Sequence, residues 1–196
     1  MMVRVITLGG ERKKSFEKRM RGKLQYEFFR GFTPEDIQDF EPLFQKSNIY
    51  EYSHERDPRA VIACAKSHVW LWERCRALEE EMLILEDDVL FSDALAEEVF
   101  NVFINNLNEY EYDVFFFDGE WGEKYVVSKP HRFHSGCAYV MTPRGAEAIL
   151  NKIGERGFDE AVDWEILNSQ KYGVRALAFE RAILVPSAEE KSTLRI

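Results

Sequence analysis

MLILEDDVLFS, residues 82–92, is the stretch on which the fold turns. Four apolar residues, Met82 to Leu85, run into three carboxylates, Glu86, Asp87 and Asp88, before an apolar run resumes. A short apolar run with such flanks reads as a buried strand, although periodicity alone does not separate it from a helix fragment. Ligands of open α/β sheets bind beyond the carboxyl ends of the strands. Acids at that position suit a hard divalent cation, which takes oxygen ligands and completes its shell with phosphate oxygens and water. They are equally common as solvated turn residues, and spacing leaves both readings open.

Outward from this point, strands alternate with helices. VRVITL (3–8) is a first strand, followed by Gly9-Gly10, which permits a tight turn or a close backbone approach to a ligand. A basic amphipathic helix is predicted from Arg12 to about Leu24, with Phe16, Met20 and Leu24 on one face, and YEFF (26–29) is a second strand. Thr33-Pro34 and Asp57-Pro58 both read as helix starts, the second opening a helix to about Ala77. On that helix Ala60, Cys64, Ser67, Leu71, Cys75 and Leu78 share a face, small enough to lie close to a sheet or a ligand. Ser92 is the expected cap of a helix over 93–107. YDVFFF (112–117), ending at Asp118-Gly119, and GCAYVMT (136–142) are further strands, and Thr142-Pro143 opens a helix to about Ile153. VRALAF and AILVP add two short strands. The alternation predicts a three-layer α/β fold around a mainly parallel sheet, and the length predicts a single domain over 1–196.

The formal charge of -9 argues against nucleic acid as a partner, because that affinity comes mainly from Lys and Arg on phosphates. Its distribution is more informative. Residues 1–30 carry nine Lys or Arg against three acids, whereas residues 77–123 carry fifteen acids and no basic residue. A divalent cation would relieve the field of that block, although solvated helix faces account for most of it. Three cysteines without a C-x-x-C pair, Cys64, Cys75 and Cys137, read as reduced and mostly buried thiols. No apolar run reaches the length of a membrane span or a signal-peptide core, so the expected compartment is the cytoplasm.

A phospho-receiver domain also pairs a strand ending in E-D-D with a later strand ending in aspartate, here Asp118. A receiver needs helix, strand and helix between those points, where this chain has one predicted helix, and a receiver has almost no chain before the motif, where this one has some 80 residues.

Taken in order, VITLGGERKKSFEKRM, IACAKSHVWLW (62–72), MLILEDDVLFS, YDVFFFDG, GCAYVMTPRGAEAIL (136–150) and AVDWEI (161–166) resemble glycosyltransferase family 25, the lipopolysaccharide, lipooligosaccharide and collagen galactosyltransferase type. The resemblance implies a GT-A-like, Rossmann-like fold and an inverting transfer of a hexose such as galactose. The donor would be a UDP-sugar and the acceptor a glycan, a lipid-linked glycan or another hydroxyl. It also implies a manganese or magnesium ion on the donor diphosphate, held by Asp88 with Glu86 or Asp87 assisting, and His134 is a further possible ligand. Asp163 is the first choice of base, with Glu165 and Asp118 in reserve. Thr7 and Leu8 fall on the nucleotide-facing loop, while Lys66, Ser67 and His68 face the donor. His68 reads equally as a hydrogen-bonded core residue.

Arg12 follows the glycine turn at a helix start, where amides and a cation favour a diphosphate. Trp121 and Tyr125 are candidate sugar-stacking residues, though aromatic residues beside a sheet are more often core. Two departures from the family pattern, Gly9-Gly10 after Thr7-Leu8 and Ala63 before Cys64, together with the short chain, keep open a second reading: a nucleotide-sugar-binding module without catalysis.

Overall fold

The computed structural model describes residues 1–37, 57–118, 123–130, 135–158 and 161–187. The first half runs β1 (Met2–Thr7), α1 (Gly10–Met20), β2 (Glu27–Arg30), α2 (Pro58–Leu78), β3 (Met82–Glu86), β4 (Val89–Phe91) and α3 (Ala94–Asn105). The second runs β5 (Val114–Phe116), β6 (Val127–Ser128), β7 (Ala138–Met141), α4 (Pro143–Arg156), α5 (Val162–Asn168), β8 (Ala176–Phe179) and β9 (Leu184–Pro186). Among these, seven strands form one sheet in the order β2-β1-β3-β7-β5-β8-β6, and β4 pairs with β9 in a separate ribbon. β1 is parallel to β2 and β3, and β5 to β8. β7 runs antiparallel between β3 and β5, and β6 antiparallel to β8. Five strands therefore share one direction, which gives the expected Rossmann-like α/β fold with a mainly parallel sheet. The reversed β7 excludes the receiver reading, whose doubly wound sheet has its central strands parallel.

Alternation along the strands divides the side chains between two cores. Met82, Ile84, Val114, Phe116, Tyr139 and Met141 face α2 and α4 on one side. Leu83, Leu85, Phe115, Phe117, Ala138 and Val140 face α1 and α3 on the other, where Phe16, Phe100 and Phe103 fill the space. Both faces of the strands are thus covered, which is why their sequences read as continuous apolar runs rather than alternating ones. Each fully buried large apolar side chain contributes roughly 1.5–3 kcal/mol, so the two layers hold the sheet from both sides. No helix among the described residues is long and apolar enough to cross a membrane.

Local chemistry sets the helix ends. Asp57 accepts the Arg59 amide ahead of Pro58, and Thr142 Oγ1 accepts the Gly145 amide ahead of Pro143. Several boundaries differ from those the sequence suggests. Asp93, not Ser92, caps α3 by accepting the Ala96 amide, and the Ser92 hydroxyl donates to the Ala182 carbonyl. α1 stops at Met20, and Leu24 packs against the core from beyond its end. Thr33-Pro34 opens only a 3-10 turn, Pro34–Asp36, closed by a reciprocal Thr33 and Asp36 capping box; residues 38–56 lie outside the described residues. Leu78, expected on the small-residue face of α2, is exposed.

Candidate active site

The Glu86-Asp87-Asp88 turn leaves the carboxyl end of β3 beside that of β1, and its backbone is held from four directions. The Glu86 amide donates to the Cys137 carbonyl at 2.8 Å and the Asp87 amide to the Ile6 carbonyl at 3.1 Å. Arg19 donates to the carbonyls of Asp87 at 2.8 Å and Val89 at 3.2 Å. The Ser187 amide donates to the Asp88 carbonyl at 2.8 Å, next to the β4–β9 ribbon. A loop with this many backbone bonds holds its side chains in place before any ligand arrives.

Two of the three carboxylates share one cation. Asp87 is buried; its Oδ2 accepts the Thr7 hydroxyl at 2.5 Å and its Oδ1 meets Arg12 at 2.5 Å. The same Arg12 nitrogen lies 3.3 Å from Asp88 Oδ2. Arg12, expected on a diphosphate, therefore bridges the two aspartates. Thr7 Oγ1 also accepts the Gly9 amide at 2.9 Å, so its hydroxyl is committed to the turn. Gly9 and Gly10 take left-handed backbone conformations, φ 86° and 64°, which favour glycine and bring α1 in over the end of β1.

A cleft opens beside this turn between β1 and α2. Thr7, Leu8, Arg12, Glu86 and Asp87 line one side, and Ala63, Cys64, Ser67 and His68 line the other. Small residues on α2 leave this space, as the sequence suggests. Ser67 is structural as well: its oxygen accepts the Phe32 amide at 2.9 Å, and its hydroxyl donates to the Ala63 carbonyl at 2.8 Å. Lys66 places its ammonium over the Phe32 ring, 4.7 Å from the centroid, and does not line the described cleft. His68 is buried, with Nδ1 2.7 Å from the Tyr139 hydroxyl, which also accepts the Trp72 Nε1–H at 2.8 Å. This brings His68 Nε2 to 3.5 Å from Glu86 Oε1.

The electrostatics follow from these contacts. Burial pushes the Glu86 carboxyl up, but the neighbouring His68 ring and the Arg12 guanidinium outweigh it and hold the group below the ordinary glutamate range. Asp163 moves the other way: burial raises it, the amides of Trp164 and Asp163 oppose, and the charge of Glu86 raises it further. Asp163, at the start of α5, packs against the backbone of Gly136, where a Cβ would sit 3.6 Å from the Asp163 Cβ. The Cys137 thiol is pushed well up, first by burial and then by Asp118, with Glu86 and Asp88 adding to it. The structure thus gathers Glu86, Asp87, Asp88, Asp118 and Asp163 into one negative field.

Other candidates have different duties. Glu165 is buried and paired with Arg156 at 2.6 Å, an ion pair that ties α5 to the end of α4 and leaves it unsuited as a base. Tyr125 donates to Asp93 at 2.9 Å and lies under Arg181, so it belongs to the start of α3 rather than to a sugar platform. His134 and Trp121 lie outside the described residues. Asp113, one of the acidic block, is buried and held bidentately by Arg144 at 2.6 and 2.5 Å. Sequence reasoning placed Cys64 on the small-residue face of α2 but read it as a reduced thiol with no duty of its own, and it missed the clamp formed by Arg19. Cys64 and His68 stand four residues apart on one helix, a spacing that places both on one face and could have flagged them.

A family model described as Glycosyltransferase family 25 (LPS biosynthesis protein) matches residues 3–132. A Glycosyltransferase 25 family member from Anopheles gambiae is 28% identical over 102 residues, 46% of this chain. One from Drosophila pseudoobscura pseudoobscura is 30% identical over 109 residues, 50% of this chain. The matched segment is 17% of the length of each relative. The crystal structure of A197 from STIV superimposes with a TM-score of 0.48 at 11% identity, covering 93% of this chain and 82% of that one. With the acidic turn, helix α2 and the first strand all inside the matched range, the chain belongs to glycosyltransferase family 25.

Proposed function

We propose that the chain transfers a hexose, with inversion, from a nucleoside-diphosphate sugar to a hydroxyl acceptor on a GT-A-type fold. The observation that carries this reading is the meeting of an ionised Glu86 and a raised Asp163 beside the clamped Asp87-Asp88 turn, in a chain of this family. Carboxylates whose surroundings push their acidities apart are the usual mark of divided acid and base duties. A UDP-hexose is the donor that the family resemblance supports. The family description, LPS biosynthesis protein, supports a glycan or lipid-linked glycan as acceptor.

The residues fit a hard divalent ion. Glu86 and Asp88 offer carboxylate oxygens from one turn, and the acidities of Asp163 and Cys137 both register Glu86 as negative charge. Glu86 and Asp88 would hold manganese or magnesium there, and the ion would supply positive charge to offset that of the departing diphosphate. Asp87, engaged by Thr7 and Arg12, orients the turn rather than ligating. Asp163 accepts the acceptor hydroxyl proton as the oxygen attacks the anomeric carbon and the carbon–phosphate oxygen bond breaks, releasing the nucleoside diphosphate. Transfer and donor hydrolysis across a panel of nucleotide sugars, with and without manganese, test the reading. Metal-dependent turnover is expected; no turnover and no metal-dependent nucleotide binding overturns it.

A further inference from the structure

Cys64 and His68 stand one helical turn apart on the side of α2 that lines the cleft, and Glu86 reaches the same space from the end of β3. A thiol sulfur, an imidazole nitrogen and a carboxylate oxygen of these residues all lie within 4.8 Å of one another. A nucleophilic relay would put the ring between thiol and carboxylate, one nitrogen for each. Here Nδ1 faces the Tyr139 hydroxyl at 2.7 Å, leaving only Nε2 for the thiol and the carboxylate alike. His68 is 1% exposed, and its Nε2, 3.5 Å from Glu86, makes no hydrogen bond of acceptable geometry. A sulfur and a carboxylate oxygen converging on a buried imidazole nitrogen describe a coordination corner.

We propose that Cys64, His68 and Glu86 form a binding site for a thiophilic divalent cation of the zinc class, with its fourth position open to the cleft. Tetrahedral zinc takes S, N and O donors at about 2.0–2.3 Å, which sets them roughly 3.5 Å apart; His68 Nε2 and Glu86 already stand at that spacing, 3.5 Å, so binding asks only that the Cys64 sulfur close on them. Thiolate and imidazole select this class of ion over magnesium and manganese, which prefer carboxylate and water. The outer shell is already built. With the metal on Nε2, the ring donates from Nδ1 to Tyr139, whose oxygen also takes the Trp72 indole N–H. Because Glu86 serves both this corner and the oxygen-donor seat at Asp88, zinc inhibits transfer by withdrawing it; that consequence alone rests on the function proposed above.

Zinc is titrated into the full chain against a chromophoric chelator, and cobalt(II) is added in parallel to read thiolate-to-metal charge transfer by absorption. One equivalent of zinc and a charge-transfer band are expected. Cys64→Ser, a mild change at a half-exposed site, abolishes the band and weakens zinc at least about 10-fold, whereas Cys137→Ser keeps both. Tyr139→Phe weakens zinc by about 10–100-fold. Absence of bound zinc, or an unchanged band and affinity in Cys64→Ser, overturns the site. Zinc binding in a chain with no transferase turnover supports the site and removes the proposed function instead. Turnover indifferent to saturating zinc overturns the shared use of Glu86.

Discussion

Asp163 and Glu86 show how two carboxylates in one field come to differ. Asp163 has a raised folded acidity constant, so its favourable contribution exists while it is protonated and is lost as pH rises through the raised value. At neutral pH the half-buried anion therefore costs stability. Asp163→Asn is expected to raise the neutral-pH melting temperature while lowering kcat by about 10²-fold or more, with the donor KM kept. Differential scanning fluorimetry and initial rates check both halves, and a fall in melting temperature would deny the desolvation argument. Glu86 has the opposite sign: its contribution is present above the ordinary value of 4.5 and is lost as pH falls through the lower folded value. Glu86→Gln should flatten the acid limb of a stability profile measured by urea titration at each pH. The acids of the turn were legible because a strand ended in them. The partner of Arg12 was not, since nothing in a local stretch says which distant side chain a cation will meet.

At the scale of elements, α4 is positioned by a close approach that no larger residue tolerates. A Cβ at Gly145 would lie 2.5 Å from the Asp113 carbonyl oxygen, so Gly145→Ala forces helix and strand apart and should destabilise by about 1–3 kcal/mol in urea unfolding. Arg19 links α1 to the acidic turn through two carbonyls. Arg19→Ala is expected to leave the far-UV spectrum intact and to weaken donor binding, because the carboxylates lose their fixed backbone. Six of the seven strands of the sheet were legible from short apolar runs between turn residues, whereas the two-residue β6 was too short to leave a pattern. The reversal of β7 and the union of β4 with β9 were not, because pairing direction depends on how distant segments return, and the local pattern is the same either way.

Over the whole molecule, the uneven charge of the sequence becomes a contact. The basic first helix and the turn after it lie against the acidic block: Arg12 on Asp87 and Asp88, Arg19 on the Glu86-Asp87-Asp88 turn, and Lys23, just past the helix, on Glu97 at 2.6 Å. The charge asymmetry was visible in the chain; the fact that its two halves face each other needed the fold. Residual negative charge at the cleft predicts stabilisation by divalent ions. At 100 times its dissociation constant manganese should add about 2.7 kcal/mol, or about 5–10 °C in melting temperature, to the wild type and much less to Asp88→Asn. Equal shifts in both would place the ion elsewhere.

The amide of Ser187 on the carbonyl of Asp88 joins a residue near the last described strand to the central turn. During synthesis the first strands and the acidic turn leave the ribosome well before β9 exists. The nascent cleft is therefore incomplete, with its carboxylates loosely placed, until translation has passed that serine. A chain ended at Ile183 should retain the hydrophobic layers of β1 to β8 while failing at the mouth of the cleft.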